Sequence, residues 1–178
     1  VFFKSFLVQA ARNDERMQNV GFVYALRRSL QSVWQDEPAQ FEEACARASS
    51  FFNTHPYFAP AMMGVALHIE EKIAAGLALP EHLEAAKSRI APPLNALGSL
   101  WFWEHLKMLA FLLSLPFLVL LHSPLAVATG VALYFVFFNY FHLRTRWAGL
   151  NLGLLYGEDM VSDLLKLFPS RLLQSLRR

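Results

Sequence analysis

Apolar residues recur at helical spacing along the first half of the chain, with polar residues between them. This pattern predicts helices, because an apolar residue at every third or fourth position gives a helix one face for a core. The first helix should run from about Asn13 to Trp34, with Asn13 or Asp14 as its cap. The second should begin at Asp36-Glu37-Pro38 and end near Asn53.

Prolines mark the boundaries of the next two helices. Pro60 can open the third helix in its first turn, where no backbone N–H is needed, and Gly76 should stop it. Pro80 should open a short fourth helix. Pro92-Pro93 should end that helix, because proline cannot donate a helical hydrogen bond.

A long apolar run follows, in which Met108–Phe138 contains a single ionisable residue, His122. The run is longer than one untilted membrane span of about 20 residues, and His122-Ser123-Pro124 divides it. We therefore predict a hydrophobic helical hairpin with arms Trp101–Leu121 and Pro124–Leu143. A re-entrant pair of shorter half-helices is the alternative.

Aromatic and basic residues flank this hairpin. The aromatic residues suit a membrane interface and are Trp101, Trp103, Tyr140 and Trp147. The basic residues lie before and after the apolar run and are absent from its tip: Lys87, Arg89, Lys107, Arg144 and Arg146. The positive-inside bias therefore puts both ends of the hairpin on the cytoplasmic side.

The spacing of apolar residues at the end of the chain predicts an amphipathic segment, kinked at Pro169. This segment should lie in the membrane interface or pack on a partner. Its apolar stripe is Val161, Leu165, Phe168, Leu172 and Leu176. The predicted fold is all-α: a membrane protein whose amphipathic helices flank a hydrophobic hairpin. We divide it into an N-terminal helical region, 1–95, a membrane hairpin, 96–147, and the C-terminal segment, 148–178.

Composition supports a membrane protein and excludes several other classes. Of the 178 residues, 55% are hydrophobic and 17% are charged, which is apolar for a soluble domain. A net charge of +2 gives no reason to expect nucleic acid binding. The single cysteine, Cys45, excludes an internal disulfide and a multi-cysteine metal site. Val1-Phe2-Phe3-Lys4 does not lead into a long apolar core, so we expect no signal peptide.

The most unusual stretch is Phe51–Pro60, where Asn53, Thr54 and His55 lie between aromatic pairs. Pro56 favours an extended His55 and therefore a break between helices. One interpretation is a simple turn in which Asn53 or Thr54 caps a helix. The other is a break whose polar groups face a ligand.

Three blocks of the sequence resemble the IID subunits of the mannose/fructose/sorbose family of sugar phosphotransferase systems. The first is Glu15-Arg16-Met17-Gln18 with Gly21-Phe22. The second is Phe51-Phe52-Asn53-Thr54 with Pro56, followed by Gly64 and Glu70-Glu71. The third comprises Phe138-Asn139, Arg144, Arg146, Gly149-Leu150, Gly153 and Gly157. The blocks keep the family's order and span most of the chain.

This resemblance implies a multi-pass permease subunit of the bacterial inner membrane. Such a subunit pairs with a IIC-type membrane subunit in a hetero-oligomer surrounded by membrane lipid. Soluble IIA and IIB proteins of such systems relay a phosphoryl group through histidines, and the hexose is phosphorylated as it enters. None of the six histidines here matches a relay site. The sequence also lacks a phosphate-binding loop, a zinc-protease motif and a nucleophile elbow, so we expect no catalytic residue, metal or cofactor in this chain.

The resemblance also suggests which residues to test. The candidate substrate-binding residues are Arg16, Asn53, Thr54, His55, Glu70 and Glu71. Glu70 and Glu71 are either a solvated helix end beside Lys72 or acceptors for sugar hydroxyls, and Glu70 alternatively pairs with an arginine such as Arg16. The candidates for partner contact or membrane anchoring are Trp103, Asn139, Arg144 and Arg146.

Two departures from the family pattern leave a second function open. Gly98-Ser99-Leu100 stands where the family has a Gly-Asp-Pro turn. Family members also continue beyond the position matching Arg178, with a further membrane segment. The chain is therefore expected to be a IID-like permease subunit or a diverged membrane interaction or regulatory protein on the same scaffold. A helical protein inserted only shallowly in the membrane is a third hypothesis.

Overall fold

A computed structural model describes residues 1–120, 123–166 and 168. Seven α-helices order this part of the chain, which contains no β-strand: α1 (Asn19–Val33), α2 (Pro38–Ala48), α3 (Ala59–Ala74), α4 (Glu81–Gly98), α5 (Lys107–Val119), α6 (Pro124–Tyr156) and α7 (Met160–Leu165). Short 3-10 helices at Phe3–Leu7 and Gly157–Asp159 complete it, and a π-helix, Ser99–Leu106, joins α4 to α5. The all-α prediction is confirmed.

Helix α3 lies at the centre of the fold and is buried along most of its length. It packs on α6 with the two backbones in direct contact, because Gly64 and Gly153 face each other. A Cβ built on Gly64 would lie 2.5 Å from the Leu150 carbonyl oxygen, and one on Gly153 would lie 2.4 Å from the Ala61 carbonyl oxygen. Small residues at the crossing therefore set the distance between these helices.

The predicted boundaries of α3 are confirmed. Pro60 lies in its first turn, and Gly76 follows its end with a φ of +70°. The Leu77 N–H donates to the Lys72 carbonyl and the Gly76 N–H donates to the Ile73 carbonyl, which is the paired hydrogen bonding of a glycine-terminated helix.

Other predicted boundaries were wrong. Helix α1 begins at Asn19, because Asn13 instead closes a tight turn in which its backbone exchanges two hydrogen bonds with Met17. Helix α2 ends at Ala48, well before Asn53. Pro92-Pro93 does not end α4, which continues to Gly98. Burial of the apolar face that includes Ile90, Leu94 and Leu97 outweighs the missing helical hydrogen bonds at the prolines.

The hairpin is present: α5 ends at Val119, and α6 begins at Pro124, as predicted. Ser123 caps α6 by accepting a hydrogen bond from the Ala126 N–H. Its arms extend beyond the predicted limits. Two helical stretches, Glu81–Val119 and Pro124–Leu165, are long and apolar enough to cross a membrane. Many large apolar side chains on the hairpin are exposed, including Met108, Leu112, Leu113, Leu125, Val131, Phe135 and Val136.

The predicted C-terminal apolar stripe is buried at Phe168, but on α7 the buried positions lie one residue earlier than predicted. Met160, Leu164 and Phe168 are buried, whereas Val161 and Leu165 are half-buried. The remaining predicted stripe positions, Leu172 and Leu176, and the predicted kink at Pro169 lie outside the described residues.

Candidate functional site

At its start, the break between α2 and α3 is hydrogen-bonded to the turn that precedes α1. The Gln18 N–H donates to the Phe52 carbonyl at 2.9 Å, and the Phe52 N–H donates to the Arg16 carbonyl at 3.3 Å. The buried Phe52 ring packs on Phe22 with 4.1 Å between ring centroids. Met17 lies between Arg16 and Gln18 and has a φ of 58°, which is strained for a residue with a side chain. The turn is therefore held by its contact with the break.

Thr54 is buried and fully hydrogen-bonded. The side-chain amide of Gln18 bonds to both backbone groups of Thr54: it donates to the Thr54 carbonyl at 2.9 Å and accepts from the Thr54 N–H at 3.3 Å. The Thr54 hydroxyl donates to the Ala91 carbonyl at 3.1 Å. The capping position of α3 is Phe58, and no side chain caps that helix. The interpretation of Asn53 or Thr54 as a helix cap is therefore wrong.

His55 is the most constrained residue of the break. Its exposed fraction is 2%, and its ring stacks on Phe102 with 5.4 Å between centroids. The Tyr57 N–H donates to Nδ1 at 3.4 Å, which places the ring hydrogen of neutral His55 on Nε2. Nε2 is buried and has no partner within the described part of the chain. Burial, with a smaller contribution from Arg146, lowers the pKa of His55 to about 4.

Asn53, Thr54 and His55 line one cleft of about 260 Å³ together with residues from distant parts of the chain. The cleft is rich in amides and carries one large aromatic ring; its other lining residues are Gln9, Arg12, Gln18, Pro56, Asn95, Ser99 and Trp103. Ser99, from the stretch Gly98-Ser99-Leu100, therefore shares a cleft with the break. Sequence reasoning missed Gln9, Arg12, Gln18 and Asn95, because only the fold brings them to the break.

Glu70 lies away from this cleft and is fully buried. Arg47 donates two hydrogen bonds to its carboxylate, at 3.0 and 2.9 Å, and the Trp34 indole donates a third at 3.2 Å. These bonds raise the pKa of Arg47. The arginine that pairs with Glu70 is therefore Arg47 and not Arg16, whose side chain is exposed. Glu71, the next residue on α3, is exposed too.

Sequence reasoning also missed Lys87, which fixes the chain just before the break. The exposed fraction of Lys87 is 3%. Its ammonium donates to the carbonyls of Arg47 and Ala48, at the C-terminal end of α2, and to the Ser50 hydroxyl, all within 3.0 Å. The sequence did contain a signal for this buried role, because Lys87 lies among Leu83, Ala86 and Ile90 on the apolar face of α4.

The candidate anchoring residues occupy different environments. Trp103 and Arg144 are exposed and Asn139 is half-buried. Arg146 is buried, donating to His142 Nε2 at 2.7 Å and to the Ser5 hydroxyl at 2.9 Å. It therefore ties the N-terminal 3-10 helix to α6.

The side chains that line the cleft at the break are suited to binding a ligand. Within the described ranges, no group of three or more His, Cys, Asp or Glu side chains lies close enough to hold a metal ion. The cleft instead offers amide groups, the hydroxyls of Thr54 and Ser99, the guanidinium of Arg12 and an indole face, which suit a polar ligand rich in hydrogen-bonding groups. Together with the apolar hairpin, this arrangement defines a helical membrane protein with a polar binding cleft where its helices enter the hairpin.

Comparison with known proteins identifies the family. The sequence model of the IID component of the mannose/fructose/sorbose phosphotransferase systems matches residues 1–176. The chain is 30% identical over 168 residues to the mannose-specific EIID component of Escherichia coli K12, covering 92% of this chain and 56% of that protein. The fructose permease IID component of Bacillus subtilis is 26% identical over 168 residues, covering 92% and 58%. This chain belongs to the IID family.

Solved structures agree with this assignment. A chain in the cryo-EM structure of the mannose transporter ManYZ in complex with microcin E492 matches with a TM-score of 0.78 and 29% identity, covering 98% of this chain and 62% of that chain. A second structure, described as a membrane protein, matches with a TM-score of 0.80 and 29% identity over 93% of this chain and 61% of the other. The chain thus spans little more than half the length of its curated relatives.

Proposed function

We propose that this chain is the IID part of a sugar permease in the bacterial inner membrane, paired with a IIC-type subunit and supplied with phosphoryl groups by soluble IIA and IIB proteins. The observation that carries the proposal is the structural match to a chain of a mannose transporter over 98% of this chain, including the break and the hairpin. The substrate is a hexose, and the hairpin crosses the membrane twice.

We further propose that the cleft at the break contacts the sugar or the path it follows. Sugar hydroxyls need paired donors and acceptors, and a sugar ring packs on an aromatic face. Gln9, Asn53 and Asn95 supply amides, and Trp103 supplies the ring. Of the residues predicted from sequence, Asn53 is the strongest candidate for direct contact, because Thr54 is already hydrogen-bonded within the protein. Glu70 acts instead through the structure, as the partner of Arg47.

The test is uptake of labelled hexose in cells that co-express the chain with its genomic IIC neighbour and the soluble phosphorelay proteins. Membrane abundance is measured in parallel. Asn53→Ala should lower the apparent affinity for sugar roughly 10-fold at normal abundance, because it removes hydrogen bonds from a desolvated site. Asn151→Ala is the matched control, since its amide donates to the Trp147 carbonyl on α6 and has no other hydrogen-bond partner among the described residues. Equal uptake in both variants would reject the sugar contact.

Partnership is tested by purification in mild detergent. The chain should co-purify with the IIC-type subunit at a fixed ratio. A chain that is always monomeric, even when both genes are expressed together, would contradict the permease assignment. Carbonate washing should leave the chain in the membrane pellet, and its release would contradict the spanning hairpin.

A non-transporting member of the family is the second candidate function. Ser99 and Leu100 favour it, because the family has Asp and Pro at these positions and Ser99 lines the proposed sugar cleft. If this loss abolishes transport, the unmutated chain should assemble with its partner but take up no sugar. The double replacement Ser99→Asp and Leu100→Pro should then restore uptake. Normal uptake by the unmutated chain would reject this second function.

A further inference from the structure

A groove of about 460 Å³ lies on the hairpin, away from the polar cleft. Its lining residues come from both arms: Trp103, Lys107, Met108, Phe111 and Tyr134. Three of these side chains are well exposed, with fractions of 47% for Trp103, 57% for Met108 and 46% for Phe111. The groove is therefore an open, largely apolar surface on the part of the protein that is suited to a membrane.

Lys107 is an unusual residue in this setting. It is the only Lys or Arg between Arg89 and Arg144. Its ammonium lies 6.0 Å from the centre of the Trp103 ring, and no ion pair joins it to an acidic side chain of the described residues. Helix α5 extends about 20 Å from Lys107 to Val119, which is less than the hydrocarbon core of about 30 Å. In a spanning hairpin this cation is close to the apolar layer and favours an anionic partner.

We propose that this groove binds one anionic phospholipid. The phosphate lies at the Lys107 ammonium, beside the Trp103 indole, where an aromatic ring normally marks the headgroup level. An acyl chain covers Met108 and Phe111, toward the tip of the hairpin. Charge complementarity decides between lipid classes, because the groove offers one cation and no carboxylate among its lining residues.

Native mass spectrometry of the full chain tests this proposal. The protein is purified in mild detergent together with any subunit that accompanies it, and is titrated with phosphatidylglycerol or phosphatidylcholine. The native chain should retain one phosphatidylglycerol in preference to phosphatidylcholine. Lys107→Gln should reduce that preference about 5-fold, the effect of one surface lysine on anionic lipid.

Three further variants make the result specific to the groove. Lys107→Arg keeps the charge and should keep the preference. Lys72→Gln removes an exposed lysine outside the hairpin and should change nothing. Phe111→Trp fills the acyl end of the groove and should weaken retention of both lipids. Thermal unfolding of each variant confirms that it remains folded.

Two outcomes would overturn the proposal. The first is equal retention of phosphatidylglycerol by the native chain and Lys107→Gln. The second is a zero-length carbodiimide cross-link from Lys107 to a carboxylate of an accompanying subunit, which would identify a protein as the occupant. Neither outcome bears on sugar uptake, so the permease proposal stands or fails separately.

Discussion

The imidazole of His55 lies directly on the backbone of Gly98, at the end of α4. A Cβ built on Gly98 would lie 2.3 Å from His55 Cγ and 2.4 Å from His55 Cβ, closer than a real Cβ contact allows. His55 belongs to the break, and Gly98 immediately precedes the π-helix that leads into the hairpin. This contact therefore fixes the polar cleft against the membrane arm, and it explains why glycine suits this position.

Gly98→Ala should destabilise the protein by about 1–3 kcal/mol, because the added methyl group overpacks the His55 ring. Thermal unfolding in detergent measures the effect. Ala96→Leu is the control, since it adds a larger side chain to the exposed face of the same helix. If Gly98→Ala is as stable as this control, the His55 contact is not as close as described. A Gly98→Ala and His55→Ala double variant should recover part of the loss relative to the sum of the single effects.

Stability should fall as the pH is lowered from about 6.5 to about 4. The pKa of His55 in the folded protein is about 4, against an ordinary value of 6.5, mainly because the ring is buried and secondly because Arg146 and His142 lie nearby. Between these values the unfolded chain binds a proton that the folded protein does not. The loss should reach about 3 kcal/mol near pH 4, and this group should have no effect above pH 6.5.

The variant His55→Gln isolates this contribution. Unfolding is followed from pH 4 to pH 8 in the native chain and in the variant, and the variant should show a shallower dependence on pH. His82→Gln is the control, because its ring is exposed and its replacement should leave the slope unchanged. Parallel curves for the native chain and His55→Gln would contradict the buried neutral histidine.

Strong local signals explain the successful sequence predictions. Pro60, Gly76 and Pro124 act through their own backbone preferences, and each marked a helix boundary that the structure contains. Pro92-Pro93 carried an equally strong signal, but tertiary burial of the apolar face of α4 overrode it. Local preference predicts a boundary only where packing does not oppose it.

Long-range contacts explain what the sequence left open. The partner of Glu70 depended on which helix packs beside α3, and Arg47 and Arg16 were indistinguishable on charge alone. The polar break was predicted, but its cleft includes Gln9 and Asn95, which are far apart in the sequence. Periodicity describes the buried face of a helix and does not identify the residue that it meets.

Glu70→Gln should destabilise the protein by about 3 kcal/mol, because it removes the buried carboxylate from the mostly buried Arg47 guanidinium, which keeps only the exposed Glu43 carboxylate at 3.6 Å. An amide in place of the carboxylate also turns one N–H group toward the donors of Arg47 or Trp34. The expected phenotype is low membrane abundance with a proportionate fall in any uptake. Unfolding in detergent measures the stability directly.

The neighbouring carboxylate provides the control for this prediction. Glu71 is exposed, so Glu71→Gln should change stability by less than about 0.5 kcal/mol. Normal abundance of Glu70→Gln with a specific loss of sugar affinity would contradict the structural role and return Glu70 to the substrate-binding candidates.

For Gly153→Ala, the close contact between α3 and α6 and the helix propensity of alanine predict changes in stability of opposite sign. Alanine is favoured over glycine in a helix by about 1 kcal/mol, so propensity alone predicts that Gly153→Ala stabilises α6. The packing predicts the reverse, because the new Cβ would meet the Ala61 carbonyl oxygen at 2.4 Å and the Val65 nitrogen at 2.8 Å. Both atoms belong to the backbone and move only if the helices separate. We expect a net loss of about 3 kcal/mol.

Gly149→Ala, one turn away on α6, gives the matched comparison. Its new Cβ would meet the Cβ of Ala61 at 2.9 Å, which is a side-chain contact. Ala61→Gly should therefore rescue Gly149→Ala, because it removes the opposing methyl group. It should not rescue Gly153→Ala, whose obstacle is the Ala61 carbonyl oxygen and remains when Ala61 becomes glycine. Rescue of both variants, measured by unfolding in detergent, would mean that side chains rather than backbones limit the approach of α3 and α6.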